Sequence, residues 1–105
     1  MNSYIILLNY KEVIKLQPRI TKISMKVTDE DNEIKAFASI IFNDSIKING
    51  IKVIVNDVGK LIVVLPENKI EQIQYVVPLS VQLRKDINNE IINKYFSIKE
   101  SIKNA

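Results

Sequence analysis

Residues 34–54 read IKAFASIIFNDSIKINGIKVI, and this stretch decides the fold class. Ala36, Ala38, Ile40 and Phe42 fall on one face of an extended chain, and Phe37, Ser39 and Ile41 on the other. Side chains alternate across a strand with period two, so the pattern predicts a strand from Ile34 to Phe42 with both faces partly covered. Asn43-Asp44-Ser45 interrupts it with residue types that suit a turn or bulge. Ile46 and Ile48 then alternate with Lys47. Asn49-Gly50 fits two geometries, a hairpin turn or a bulge within one long bent strand. Ile51, Val53 and Val55 resume the alternation, with Lys52 and Ile54 on the opposite face.

Outward towards the amino terminus, Ile23, Met25 and Val27 alternate with Ser24 and Lys26, which predicts a half-buried strand. Between it and the next strand lies the acidic segment Asp29 to Glu33. Strand-connecting turns favour Asp and Asn, and that explains these carboxylates better than a metal site does. Outward in the other direction, Asn56-Asp57-Val58-Gly59 reads as a turn. Leu61 to Leu65 is a continuous apolar run ended by Pro66, which predicts a central strand covered on both sides. Glu67 to Gln74 reads as a polar connection, and Tyr75-Val76-Val77 as a short strand ended by Pro78. Tyr75 and Tyr95 sit in apolar patterns and are expected in the core.

The tail changes period. Leu83, Ile87, Ile91, Tyr95, Ile98 and Ile102 recur every three or four residues, and Ile92 widens the stripe. This predicts an amphipathic helix over residues 81–102, with Ser80 as its N-cap. Strands first and one helix last give an α+β fold: a twisted, mostly antiparallel sheet followed by one long carboxy-terminal amphipathic helix.

The chain has 105 residues, which is the length of one domain. Residues 1–19 read as an extension of unknown role and 20–105 as the domain. Ile5 and Leu7 in the extension fit a short strand or a helical turn. The apolar run Ile5 to Leu8 is too short to cross a bilayer and lacks the flanks of a signal peptide. A cytoplasmic protein without membrane association is expected.

Cys and His are both absent. Disulfides, Cys/His zinc sites and nucleophile–imidazole pairs are therefore ruled out. The two glycines form no phosphate-cradling loop. Asp86 and Glu90 share a helix face, but Arg84, Lys85 and Lys94 flank them, so they read as part of a solvated charged surface. The expectation is a non-enzymatic protein with no cofactor, no metal and no small-molecule substrate. The formal net charge of +3 permits a polyanionic partner without requiring one. Lys35, Lys47, Lys52 and Lys60 are assigned to the sheet. Arg84 and Lys85 open the helix, where free N–H groups and the positive dipole end suit a phosphate.

In their order, the motifs resemble those of the stage V sporulation protein G (SpoVG) family of septation regulators. Lys35, Ala36, Ala38, Ser39 and Ile40 fit its Lys-Ala-x-Ala-Ser-Ile core. Asp44 fits its turn, and Ile51, Val53 and Ile54 the end of its strand pair. LIVVLP at residues 61–66 resembles its apolar strand ending in Met-Pro, with Leu65 in the Met place. Pro78, Arg84, Ile87 and Tyr95 fit its proline-led helix. The resemblance implies a small dimeric bacterial regulator of septation or sporulation type that binds DNA, RNA or both. It places a basic residue at Arg84, with Lys85 beside it. Where that family carries a basic loop after the proline, this chain has Glu67-Asn68-Lys69, so Lys69 is what remains of it. The nucleic-acid-binding candidates are thus Arg84, Lys85, Lys69 and Lys52. The alternative is a dimeric protein-interaction module on the same fold with weak or no nucleic-acid binding.

Overall fold

Ala36 and Ala38 explain where the helix sits. A computed structural model describes residues 18–103, and in it both alanines are buried at the centre of the domain. They lie on β2 (Ile34–Phe42), which is flanked by β1 (Ile20–Val27) and β3 (Ile46–Val55). A side chain of one methyl group leaves room above the central strand. The carboxy-terminal helix α1 (Val81–Lys103) brings Ile87, Ile91 and Tyr95 into the same buried cluster. Ile40, Ile51, Val53 and Ile91 are fully buried. Each such side chain contributes roughly 1.5–3 kcal/mol relative to exposure. The reading of residues 1–19 as a separate extension, with its strand-or-turn alternative, lies outside the described residues except at Pro18 and Arg19.

The main sheet is an antiparallel meander, β1-β2-β3-β4, with β4 at Leu61–Val64. The turn between β2 and β3 uses Asn43 and Asp44 at φ 52° and 53°. Asn tolerates that left-handed region better than most residues, and Asp shares the tolerance. The Ser45 amide closes the turn on the Phe42 carbonyl at 2.9 Å. The Asn43 side chain also accepts from the Arg19 amide at 2.9 Å, which ties the start of β1 to this turn.

Asn49-Gly50 resolves as the bulge. β3 runs unbroken through it, and the pairing with β2 slips one residue between Ala38↔Ile51 and Ile40↔Ile48. Gly50 takes φ 79°. The slip keeps Ile48, Ile51 and Val53 on the helix side of the sheet, although Ile48 and Ile51 are three apart.

Three expectations are corrected. The apolar run from Leu61 does not form a central strand. It forms β4, an edge strand bonded to β3 alone, and Ile62 is 36% exposed. A continuous apolar run does not distinguish a strand covered on both faces from an edge strand with one half-open face. Tyr75-Val76-Val77 is not a strand. The connection before it forms a small hairpin instead, β5 (Glu67–Asn68) with β6 (Ile73–Gln74), extended by the Tyr75 amide donating to the Pro66 carbonyl at 3.0 Å. Tyr75 is therefore not in the core but 61% exposed on this hairpin, whereas Tyr95 is buried.

The helix stripe holds from Leu83 to Ile98 and lapses at Ile102, which is exposed. The Ser80 hydroxyl accepts from the Leu83 amide at 3.1 Å, the N-cap geometry. At the other end Lys99 reaches Glu30 of the β1–β2 turn at 3.3 Å. The acidic turn thus faces the last turns of the helix, and Lys35 donates to the Glu30 carbonyl at 2.7 Å.

Candidate nucleic-acid interface

The helix covers one face of the sheet, and the strand register decides what the other face carries. Lys26 pairs with Phe37, Phe37 with Lys52, and Lys52 with Val64, so these four residues form one row across all four strands. A second row runs Lys22, Ile41, Lys47. Ser24 and Ser39 pair between the rows. Lys22, Lys26, Lys47 and Lys52 are exposed, and Phe37 is 43% exposed. No Asp or Glu occurs anywhere in β1 to β4. Four cations therefore share a face with no carboxylate of its own to neutralise them.

The remaining candidates fall around the β5–β6 hairpin. Lys52 and Lys69 both line an open cleft between the edge of the sheet and the hairpin, with Ile54, Val64 and Tyr75. Its rim also bears Asp31, Glu33, Asp57 and Glu67, so the cleft has mixed charge. Arg84 lines a neighbouring groove with Pro78, and the two depressions share Val64, Leu65 and Glu67. An Arg84 N–H donates to the Pro78 carbonyl at 3.4 Å, which holds the guanidinium back over the segment leading into the helix. Lys85 is exposed one position further on and lines neither depression. The first helical turn contains no acidic residue, although Glu67 lines the Arg84 groove and Asp86 accepts from Gln82 of that turn at 2.9 Å.

The structure thus places Lys52 and Lys69 on one cleft, Arg84 on the adjoining groove and Lys85 on neither. It also gathers residues that the linear pattern did not single out. Lys22 and Lys26 join Lys47 and Lys52, and Phe37 stands between Lys26 and Lys52. Alternation alone put Lys26 opposite the apolar face, but only the register made it a neighbour of Phe37. Two other lysines assigned to the sheet do not belong to this patch. Lys35 is half-buried and engaged with the β1–β2 turn, and Lys60 lies in the loop just before β4.

An antiparallel sheet with one helix across it, and a lysine-bearing face left open, defines a small α+β protein built around a single exposed sheet surface. Residues 19–97 match the SpoVG family model. A relative from Finegoldia magna named "Putative septation protein SpoVG" is 38% identical over 80 residues, 73% of this chain and 73% of the relative. A second of the same name, from Fusobacterium nucleatum subsp. nucleatum, is 25% identical over 87 residues, 78% of this chain and 92% of the relative. The chain belongs to the SpoVG family.

Proposed function

We propose that this protein is a dimeric cytoplasmic regulator that acts by binding nucleic acid, in processes of the septation or sporulation type. The observation that carries the reading is the sheet face with four exposed lysines and no carboxylate. Phosphate contacts need only cationic or N–H donors, and they supply most non-specific affinity. The septation context comes from the names of the two relatives. Among the described residues no helix is long and apolar enough to cross a membrane.

Arg84 and Lys85 form the second basic element of the reading, at the positive end of the helix. A mobility-shift assay with DNA and RNA at about 50 mM salt tests the proposal, because phosphate-driven binding is strong there and weakens steeply as salt rises. Retention of either nucleic acid is the expected result. Absence of any shift overturns it and favours a protein-interaction module. The double substitution Arg84→Glu with Lys85→Glu is expected to lower affinity. An unchanged value would confine the interface to the sheet.

A further inference from the structure

We infer that the open sheet face is a platform for single-stranded RNA, with one base stacked on Phe37. This rests on the nucleic-acid reading and makes it specific to a ligand and a site. Three properties of the face converge on that ligand.

First, its charge selects a polyanion. Lys22, Lys26, Lys47 and Lys52 surround the centre of the face, and β1 to β4 hold no carboxylate. A second copy of this chain is a poor occupant. A two-fold contact would set this patch against itself and bring eight like charges together. The cleft that Lys52 also borders is a poor path for phosphates beyond that lysine, because Asp31, Glu33, Asp57 and Glu67 stand on its rim.

Second, Phe37 gives the face an aromatic surface among the cations. Its neighbours in the row are Lys26 and Lys52, each one strand spacing away, about 4.8 Å. An unpaired base stacks on such a ring while the flanking phosphates meet the lysines. In a duplex the base faces are occupied by stacking on one another, so a duplex offers Phe37 nothing. Third, Ser24 and Ser39 pair between the two lysine rows. Hydroxyls there match the ribose 2′-OH, which is both donor and acceptor and separates RNA from DNA.

Fluorescence anisotropy on the full chain tests this with labelled 12-residue strands of one mixed sequence, as single-stranded RNA, single-stranded DNA and RNA duplex. The RNA strand is expected to bind at least about 5-fold more tightly than the duplex, and more tightly than the DNA strand. Phe37→Leu keeps an apolar side chain in the row but removes the ring, and is expected to weaken the RNA strand roughly 5-fold or more, the range found for one base–aromatic stack. Duplex affinity should not change. Phe37→Tyr should retain binding. Lys26→Gln and Lys52→Gln should each reduce the salt slope by about 0.7. Should Phe37→Leu fail to fold, photo-crosslinking of the wild-type protein to RNA carrying 5-iodouridine gives the same information. An adduct at Phe37 is expected, and adducts confined to the helix overturn the assignment.

Duplex bound as tightly as the single strand, or unchanged affinity in Phe37→Leu, overturns the platform while leaving the nucleic-acid function standing. Equal affinity for the DNA strand overturns the assignment to RNA. No binding to any of the three overturns the platform, and if duplex DNA also gives no mobility shift both readings fall together.

Discussion

Gly50 shows how one residue sets the geometry of a sheet. At φ 79° it occupies a region that costs other residues about 1–2 kcal/mol. A methyl group added there would meet the Pro66 ring at 3.7 Å, an ordinary contact, so sterics add nothing further. Gly50→Ala is therefore expected to destabilise by about 1–2 kcal/mol through the backbone alone, read as a lower urea midpoint with an unchanged slope. A loss well above that range would mean that the bulge had shifted register. Ser80 is the matching case at the helix start, where its hydroxyl caps the Leu83 amide. Ser80→Ala is expected to cost about 1 kcal/mol, checked by the same unfolding curve. Gly50 was conspicuous in the sequence beside Asn49, but the pair signals a hairpin as readily as a bulge. The choice between them depends on whether the next apolar run pairs back on Ile46–Ile48 or continues beyond it to β2, and that is a tertiary matter.

The helix and the sheet illustrate which elements can be read from pattern. The stripe from Leu83 to Ile98 is regular over four turns, and a spacing of three to four residues sustained that long fits a helix and no strand. Docking that stripe is what holds the domain together. Ile91→Ala removes a fully buried side chain between helix and sheet and is expected to cost about 2–5 kcal/mol. That is a large share of a small domain's total stability, usually about 5–15 kcal/mol. Calorimetry should show a sharp fall in melting temperature. The Lys99–Glu30 pair also joins helix to turn, but Glu30 is 87% exposed. Solvent screens such pairs, so Lys99→Ala should shift stability by less than about 1 kcal/mol, and a larger shift would point to packing by the lysine stem. The β5–β6 hairpin was not legible in the same way. Each strand is two residues long, too short for any period to show. Tyr75 was misplaced for that reason, since its apolar neighbours imitate a buried run.

At the scale of the whole molecule, the charges become a surface. Along the chain the basic residues are scattered, and the net charge of +3 says little. Folding separates the signs. The carboxylates of the described residues lie in turns, the hairpin and the helix, while the sheet keeps lysines alone. If all four face lysines meet phosphates, the logarithm of affinity for a single strand should fall with the logarithm of salt at a slope near about −3 per chain. A titration across about 50–200 mM salt measures it. A flat response would remove the face from the interface. Light scattering checks the proposed dimer, and a mass of 12.1 kDa in solution would contradict it.

The amino-acid sequence by itself determined the α+β class, the strands β1 and β2, the two alternating runs that make up β3, and the long helix with its cap. All of these rest on periodicity or on local chemistry, which act between residues close along the chain. It also excluded cysteine and histidine chemistry outright, because the residues are absent. Only the tertiary structure decided that β4 is an edge, that Tyr75 is exposed, and that Lys22, Lys26, Lys47 and Lys52 share a face with Phe37. Those facts depend on strand order and register. Register is set by which apolar residues meet beneath the helix, a contact made between segments far apart in sequence.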